Sequence, residues 1–148
     1  MTCLALILGC AGPILSPEEA AFFREVRPWG FILFKRNIGT PDEVRALTGA
    51  LRDCVGSEQA PVLIDQEGGR VQRMGPPHWP AYPAGGRYGR LNGSAATVAR
   101  LGARLMAHDL AEVGNQYGDG GFDADGRRRR PRMSPSSSRP PAVACWSN

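Results

Sequence analysis

The chain has 148 residues, 42% of them hydrophobic and 22% charged, with 18 Lys and Arg against 14 Asp and Glu. That composition fits one ordinary soluble domain and excludes collagenous, coiled-coil and membrane-spanning classes. All the basic residues but Lys35 are arginine, and the basic surplus is concentrated in residues 115–148, so a nucleic-acid surface spread over the whole chain is not indicated.

Residues 3–8 are an apolar run closed by Gly9, which predicts a strand buried on both faces. The run ends in Gly9-Cys10, loosely like a lipoprotein leader, but no Lys or Arg precedes it, and the strand is the better reading. Ser16, Pro17, Glu18 and Glu19 then mark a helix start: a capping hydroxyl, a proline whose missing N–H costs nothing there, and acids at the positive end of the dipole. The helix is expected to reach about Val26, with Ala20, Phe22, Phe23 and Val26 as its apolar contacts and Pro28 stopping it. Gly30 to Phe34 is a second buried strand.

The same phrase recurs in Thr40-Pro41-Asp42-Glu43, and Val44, Leu47 and Leu51 predict a helix to about Cys54. Pro61 to Ile64 is a third buried strand. After a Pro/Gly-rich loop over 75–93, Ser94 opens a longer helix in which Val98, Leu101, Leu105, Leu110 and Val113 are expected to point one way, and Gly114 ends it. Residues 115–148 contain neither Leu nor Ile and are expected to be disordered. Within them, Asp119 to Gly126 lacks the full acid pattern of a calcium loop, and the Arg127–Arg132 run has no aromatic or structured company that would make it a nucleic-acid site.

Apolar strands alternating with amphipathic helices predict an α/β fold of successive βαβ units around a parallel sheet, and three strands fit an open sheet or a barrel alike. In both, chemistry gathers at the carboxyl ends of the strands, here Phe34-Lys35-Arg36-Asn37 and Asp65-Gln66-Glu67-Gly68-Gly69-Arg70. Cys3, Cys10, Cys54 and Cys145 are too widely spaced for a CxxC pair, no Cys/His metal spacing exists, and reduced thiols in a cytosolic protein are expected.

The stretch from Asp65 to Arg73 carries two carboxylates, two glycines and two guanidinia in nine residues. If the strand continued through it, Asp65 and Glu67 would face one side with Cα atoms roughly 6.5–7 Å apart, a spacing open to an acid/base pair. The alternative is that one carboxylate binds substrate while the other pairs with Arg70 or Arg73 and holds the loop. Lys35-Arg36-Asn37 stands between substrate contact and loop support, with Arg36 or Arg70 as a partner for Asp65. Trp79 stands between sugar stacking and loop packing beside His78, and His108 reads as a helix-surface or satisfied histidine.

The phrase Trp29-Gly30-Phe31-Ile32-Leu33-Phe34-Lys35-Arg36-Asn37, followed one helix later by Leu63-Ile64-Asp65-Gln66-Glu67-Gly68-Gly69-Arg70-Val71-Gln72-Arg73, resembles the N-terminal part of the β-N-acetylhexosaminidases of glycoside hydrolase family 3. The resemblance implies that residues 1–114 are the first three to four units of a (β/α) barrel. It also implies retaining hydrolysis of terminal N-acetylglucosamine from cytosolic muropeptides in cell-wall recycling. It gives Asp65 the role of holding sugar hydroxyls, makes Arg73 line the same subsite, and implies a saccharide partner with no cofactor, metal, membrane or nucleic acid. The family's Lys-His motif, its His/Asp acid–base dyad and its aspartate nucleophile have no matching positions here. The chain is therefore expected to be poorly soluble and inactive by itself, with residues 115–148 out of frame. The rival readings are a non-catalytic sugar-binding module and a nucleic-acid binder acting through the arginine tail.

Overall fold

The computed structural model describes residues 3–114. The expected disorder of 115–148, the Asp119–Gly126 segment, the arginine run and Cys145 all lie outside the described residues. In chain order the elements are β1 (Leu4–Leu8), α1 (Pro17–Val26), β2 (Pro28–Leu33), a 3-10 turn (Lys35–Asn37), α2 (Pro41–Val55), β3 (Val62–Ile64), β4 (Gln66–Gly68), β5 (Val71–Gln72), α3 (Gly85–Tyr88) and α4 (Ala95–Glu112).

Two of the three signalled helix starts form as their residues dictate. Ser16 Oγ accepts from the Glu19 N–H at 3.1 Å while the Glu19 carboxylate accepts from the Ser16 N–H at 3.2 Å, and Thr40 and Glu43 repeat the exchange in α2. Each box satisfies two backbone donors that the first turn leaves without helical partners. Arg27, in the left-handed region at φ 50°, closes α1 and turns the chain into β2.

β1, β2 and β3 form a parallel sheet in that order, with Phe31 opposite Val62 and Leu33 opposite Ile64. Phe31, Leu33, Val62 and Ile64 share one face of the sheet and are fully buried. Against that face pack Phe23 of α1, edge-on to Phe31 at 5.1 Å, and Val44, Leu47 and Leu51 of α2. Burial of each such side chain is worth about 1.5–3 kcal/mol. The opposite face, Ile32 and Leu63, is only half-buried.

Three expectations are corrected here. β1 is not buried: Leu4, Leu6 and Ile7 are 49%, 43% and 42% exposed, because β1 is the sheet edge and among the described residues no strand pairs with its outer side. Phe22 is half exposed, so Phe23 alone makes the aromatic contact from α1 to the core. In α4 the buried line is Gly102, Met106, Leu110 and Val113, while Leu101 and Leu105 point outward. Tyr88 lies against Gly102, where a Cβ would collide with its hydroxyl, and this close approach turns the 102–106–110 line inward.

Ser94 precedes α4 but makes no side-chain cap. The other end is held from α2: Arg45 Nε, Thr48 Oγ1 and Arg52 Nη2 donate to the carbonyls of Glu112, Val113 and Gly114 at 2.9, 3.0 and 2.5 Å. Among the described residues those carbonyls have no helical donors, and two of the groups serving them carry positive charge, which complements the negative end of the dipole. The 75–93 loop is not wholly irregular, since α3 forms within it. No helix among the described residues is long and apolar enough to cross a membrane.

Candidate functional site

In a parallel sheet all strands end on the same side, so the segments leaving β1, β2 and β3 meet in one place. The side chains there lace the three ends together. Asn37, fully buried, donates Nδ2 to the carbonyls of Cys10 and Gly12 at 3.1 and 2.8 Å and accepts the Phe34 N–H at 2.8 Å. Arg36 donates Nε to the same Cys10 carbonyl and lies over the Phe34 ring. Lys35 reaches the other way and donates Nζ to the Arg73 carbonyl at 3.0 Å. The Lys35-Arg36-Asn37 segment thus supports the loops around it.

Asp65 comes directly after β3, and the chain then folds back as the antiparallel hairpin β4–β5. This overturns the continued-strand geometry for Asp65 and Glu67: the strand breaks at Asp65, and Glu67 lies exposed in the hairpin. The turn is made by Gly68 and Gly69 at φ 81° and 62°, a region open to glycine at little cost. Gly69 N–H donates to the Tyr82 carbonyl at 2.7 Å, seating the hairpin on the 82–84 segment.

Asp65 pairs with Arg73, not with Arg36 or Arg70: Arg73 Nη2 donates to Asp65 Oδ2 at 3.0 Å. The two side chains are 44% and 28% exposed respectively, so both are anchored in the site and open to solvent. A carboxylate that accepts from hydroxyls, beside a guanidinium with further N–H groups, can grip a polyhydroxylated ligand from two sides.

A shallow groove of about 300 Å³, which neither Asp65 nor Arg73 lines, runs between the α2 N-terminus and residues 75–79, lined by Lys35, Thr40, Glu43, His78 and Trp79 among others. The Thr40 N–H and hydroxyl hold the Glu43 carboxyl below its usual range, and Glu43 serves there as part of the α2 capping box. Trp79 is buried in the core, which decides for loop packing over sugar stacking. His108 is exposed on α4, the helix-surface one of its two readings. Cys3, Cys10 and Cys54 are free thiols, and burial pushes those of Cys10 and Cys54 up.

Sequence reasoning named Asn37 only as part of the Lys35-Arg36-Asn37 segment, and it missed the roles of the two glutamines of the hairpin and of Tyr82, whose hydroxyl donates to Asp109 Oδ2 at 2.6 Å and ties the loop to α4. The only hint was Gln66 and Gln72 flanking the Gly-Gly turn, amides with both a donor and an acceptor to spend.

No protein-family model matches the chain. It is 37% identical over 114 residues to a beta-hexosaminidase of Xanthomonas oryzae pv. oryzae, covering 74% of this chain and 33% of the relative. It is 46% identical over 71 residues to a beta-hexosaminidase of Alkalilimnicola ehrlichii, covering 47% of this chain and 20% of the relative. The chain thus spans about a third or less of the length of these curated relatives. Among solved structures it is similar to NagZ from Neisseria gonorrhoeae in complex with N-trifluoroacetyl-D-glucosamine, with 24% identity, a TM-score of 0.67, and 76% of this chain and 35% of the other covered. A glycoside hydrolase family 3 beta-N-acetylglucosaminidase from Paenibacillus gives a TM-score of 0.70 at 24% identity, covering 80% of this chain and 23% of the other. These likenesses establish a shared α/β fold.

Proposed function

We propose that this chain, similar over about three quarters of its length to curated beta-hexosaminidases, belongs to glycoside hydrolase family 3 and is the sugar-recognising part of a retaining β-N-acetylhexosaminidase. The substrate is a glycan ending in N-acetylglucosamine, such as a muropeptide of cell-wall recycling, and the setting is the cytoplasm. The observation that carries this reading is the half-open Asp65–Arg73 pair at the carboxyl end of β3. Asp65 accepts hydrogen bonds from ring hydroxyls and Arg73 donates to ring oxygens.

The parallel β1–β2–β3 order, with helices over one face and the other face half-open, supports reading these elements as the first units of a (β/α) barrel. Such a barrel takes about 250 residues, and this chain spans about a third of the length of the curated relative it matches. Retention requires a nucleophile and an acid/base group for two successive displacements. In this reading both belong to the part of the relatives that this chain does not match, and Asp65 and Arg73 bind without reacting.

The test is titration of the 148-residue chain with N-acetylglucosamine, monitored by amide NMR, beside an assay with 4-nitrophenyl N-acetyl-β-glucosaminide. Saturable shifts around residues 65–73, lost in Asp65→Ala, with no release of nitrophenol, are expected. Turnover by the chain alone, or binding unchanged in Asp65→Ala, would overturn the reading.

A further inference from the structure

We propose that Gln66 is a positioning residue for Arg73, setting the direction of its guanidinium through the backbone. For its purpose the inference rests on the sugar-binding reading above. Gln66 Oε1 accepts the N–H of Arg73 at 3.0 Å and that of Met74 at 3.1 Å, and its Nε2 donates to the Met74 carbonyl at 2.8 Å. The β4–β5 ladder ends at the Gln66–Gln72 pair. Beyond it, the Gln66 carboxamide gives residues 73 and 74 the donor and acceptor that a neighbouring strand would have given. Gln72 donates to the same Met74 carbonyl at 2.7 Å, and the Met74 side chain is fully buried beneath.

The Arg73 backbone is thereby held at both ends, its N–H by Gln66 and its carbonyl by Lys35. Arg73 Nε is buried with no hydrogen-bond partner, so that nitrogen does nothing to orient the guanidinium. What aims Nη2 at Asp65 is the fixed backbone together with Asp65 itself. The role needs a carboxamide. A carboxylate at position 66 keeps the two accepting contacts but sets an oxygen against the Met74 carbonyl, and a methyl group keeps none of the three.

The experiment uses the full chain labelled with nitrogen-15, as wild type, Gln66→Glu and Gln66→Ala, with two readouts. The first is the dissociation constant for N-acetylglucosamine, expected to rise by about tenfold in Gln66→Ala and by a few-fold in Gln66→Glu. The second is independent of sugar: the Arg73 Nε–H resonance, expected to be discrete and slow to exchange in wild type, to persist in Gln66→Glu, and to merge with those of exposed arginines in Gln66→Ala. Failure of wild type to bind the sugar overturns the sugar-binding reading alone, and the Arg73 resonance then decides the positioning role. An Arg73 resonance identical in all three proteins, or equal sugar affinity in all three, overturns the proposal. If Gln66→Ala does not fold, Gln66→Glu decides: weaker binding supports the role and unchanged binding overturns it.

Discussion

The buried carboxamide of Asn37 donates to the carbonyl of Cys10 at 3.1 Å, tying the end of β2 to the end of β1. It is among the few polar side chains buried completely, and it also bonds the Gly12 carbonyl and the Phe34 N–H. The platform beneath Asp65 and Arg73 depends on such ties, because parallel strand ends have no hairpin to hold them.

Asn37→Ala should therefore lower stability by about 2–3 kcal/mol, since it leaves buried backbone groups without partners. Urea unfolding monitored by tryptophan fluorescence measures it. A midpoint equal to wild type would show that the tie contributes nothing.

Gly68 combines a positive φ with close contact: a Cβ there would strike the Pro83 carbonyl. Gly68→Ala is expected to cost about 1–3 kcal/mol and to loosen the hairpin. Hydrogen exchange checks the second part, with the Gly69 amide, bonded to the Tyr82 carbonyl in wild type, losing protection.

Burial, and then its hydrogen bond to Asp109, push the Tyr82 phenol well above its ordinary value. A folded-state value above the unfolded one, near 10, means that the neutral hydroxyl stabilises the fold fully below about pH 10 and that this contribution is lost as pH rises beyond it. Tyr82→Phe should be less stable than wild type by about 1–2 kcal/mol at pH 7. The gap should shrink as the pH is raised above 10, which thermal unfolding at a series of alkaline pH values will show.

β1 exposes Leu4, Leu6 and Ile7 along an open edge, the arrangement that invites edge-to-edge association. Leu6→Lys is expected to raise the soluble fraction and reduce oligomers in sedimentation velocity, at a stability cost within about 0.5 kcal/mol because the side chain is already half in water. Unchanged sedimentation would place the sticky surface elsewhere, for example on Leu101 and Leu105 of α4.

Much of the fold is legible from neighbours within a few residues. The Ser16–Glu19 and Thr40–Glu43 boxes, the proline at each first turn, and the run of Phe31, Leu33, Val62 and Ile64 are local patterns, and they alone dictate α1, α2, β2 and β3. The Asp65–Arg73 segment is equally legible as the polar end of a strand. Its residue types mark a candidate site, and the curated matches are named beta-hexosaminidases.

Only the tertiary structure decided which apolar residues are covered and which charges meet. Leu101 and Leu105 fit the helical period as well as Met106 and Leu110 do, but the contact between Tyr88 and Gly102 turns the second pair inward. Arg36, Arg70 and Arg73 were all candidate partners for Asp65, and the hairpin turn at Gly68 and Gly69 brought Arg73 to it. The difference is one of range. Caps and periodicity are set by atoms a turn or less away along the chain, whereas burial and ion pairing depend on segments that only folding brings together, such as residues 82–84 under the hairpin and α4 across α2.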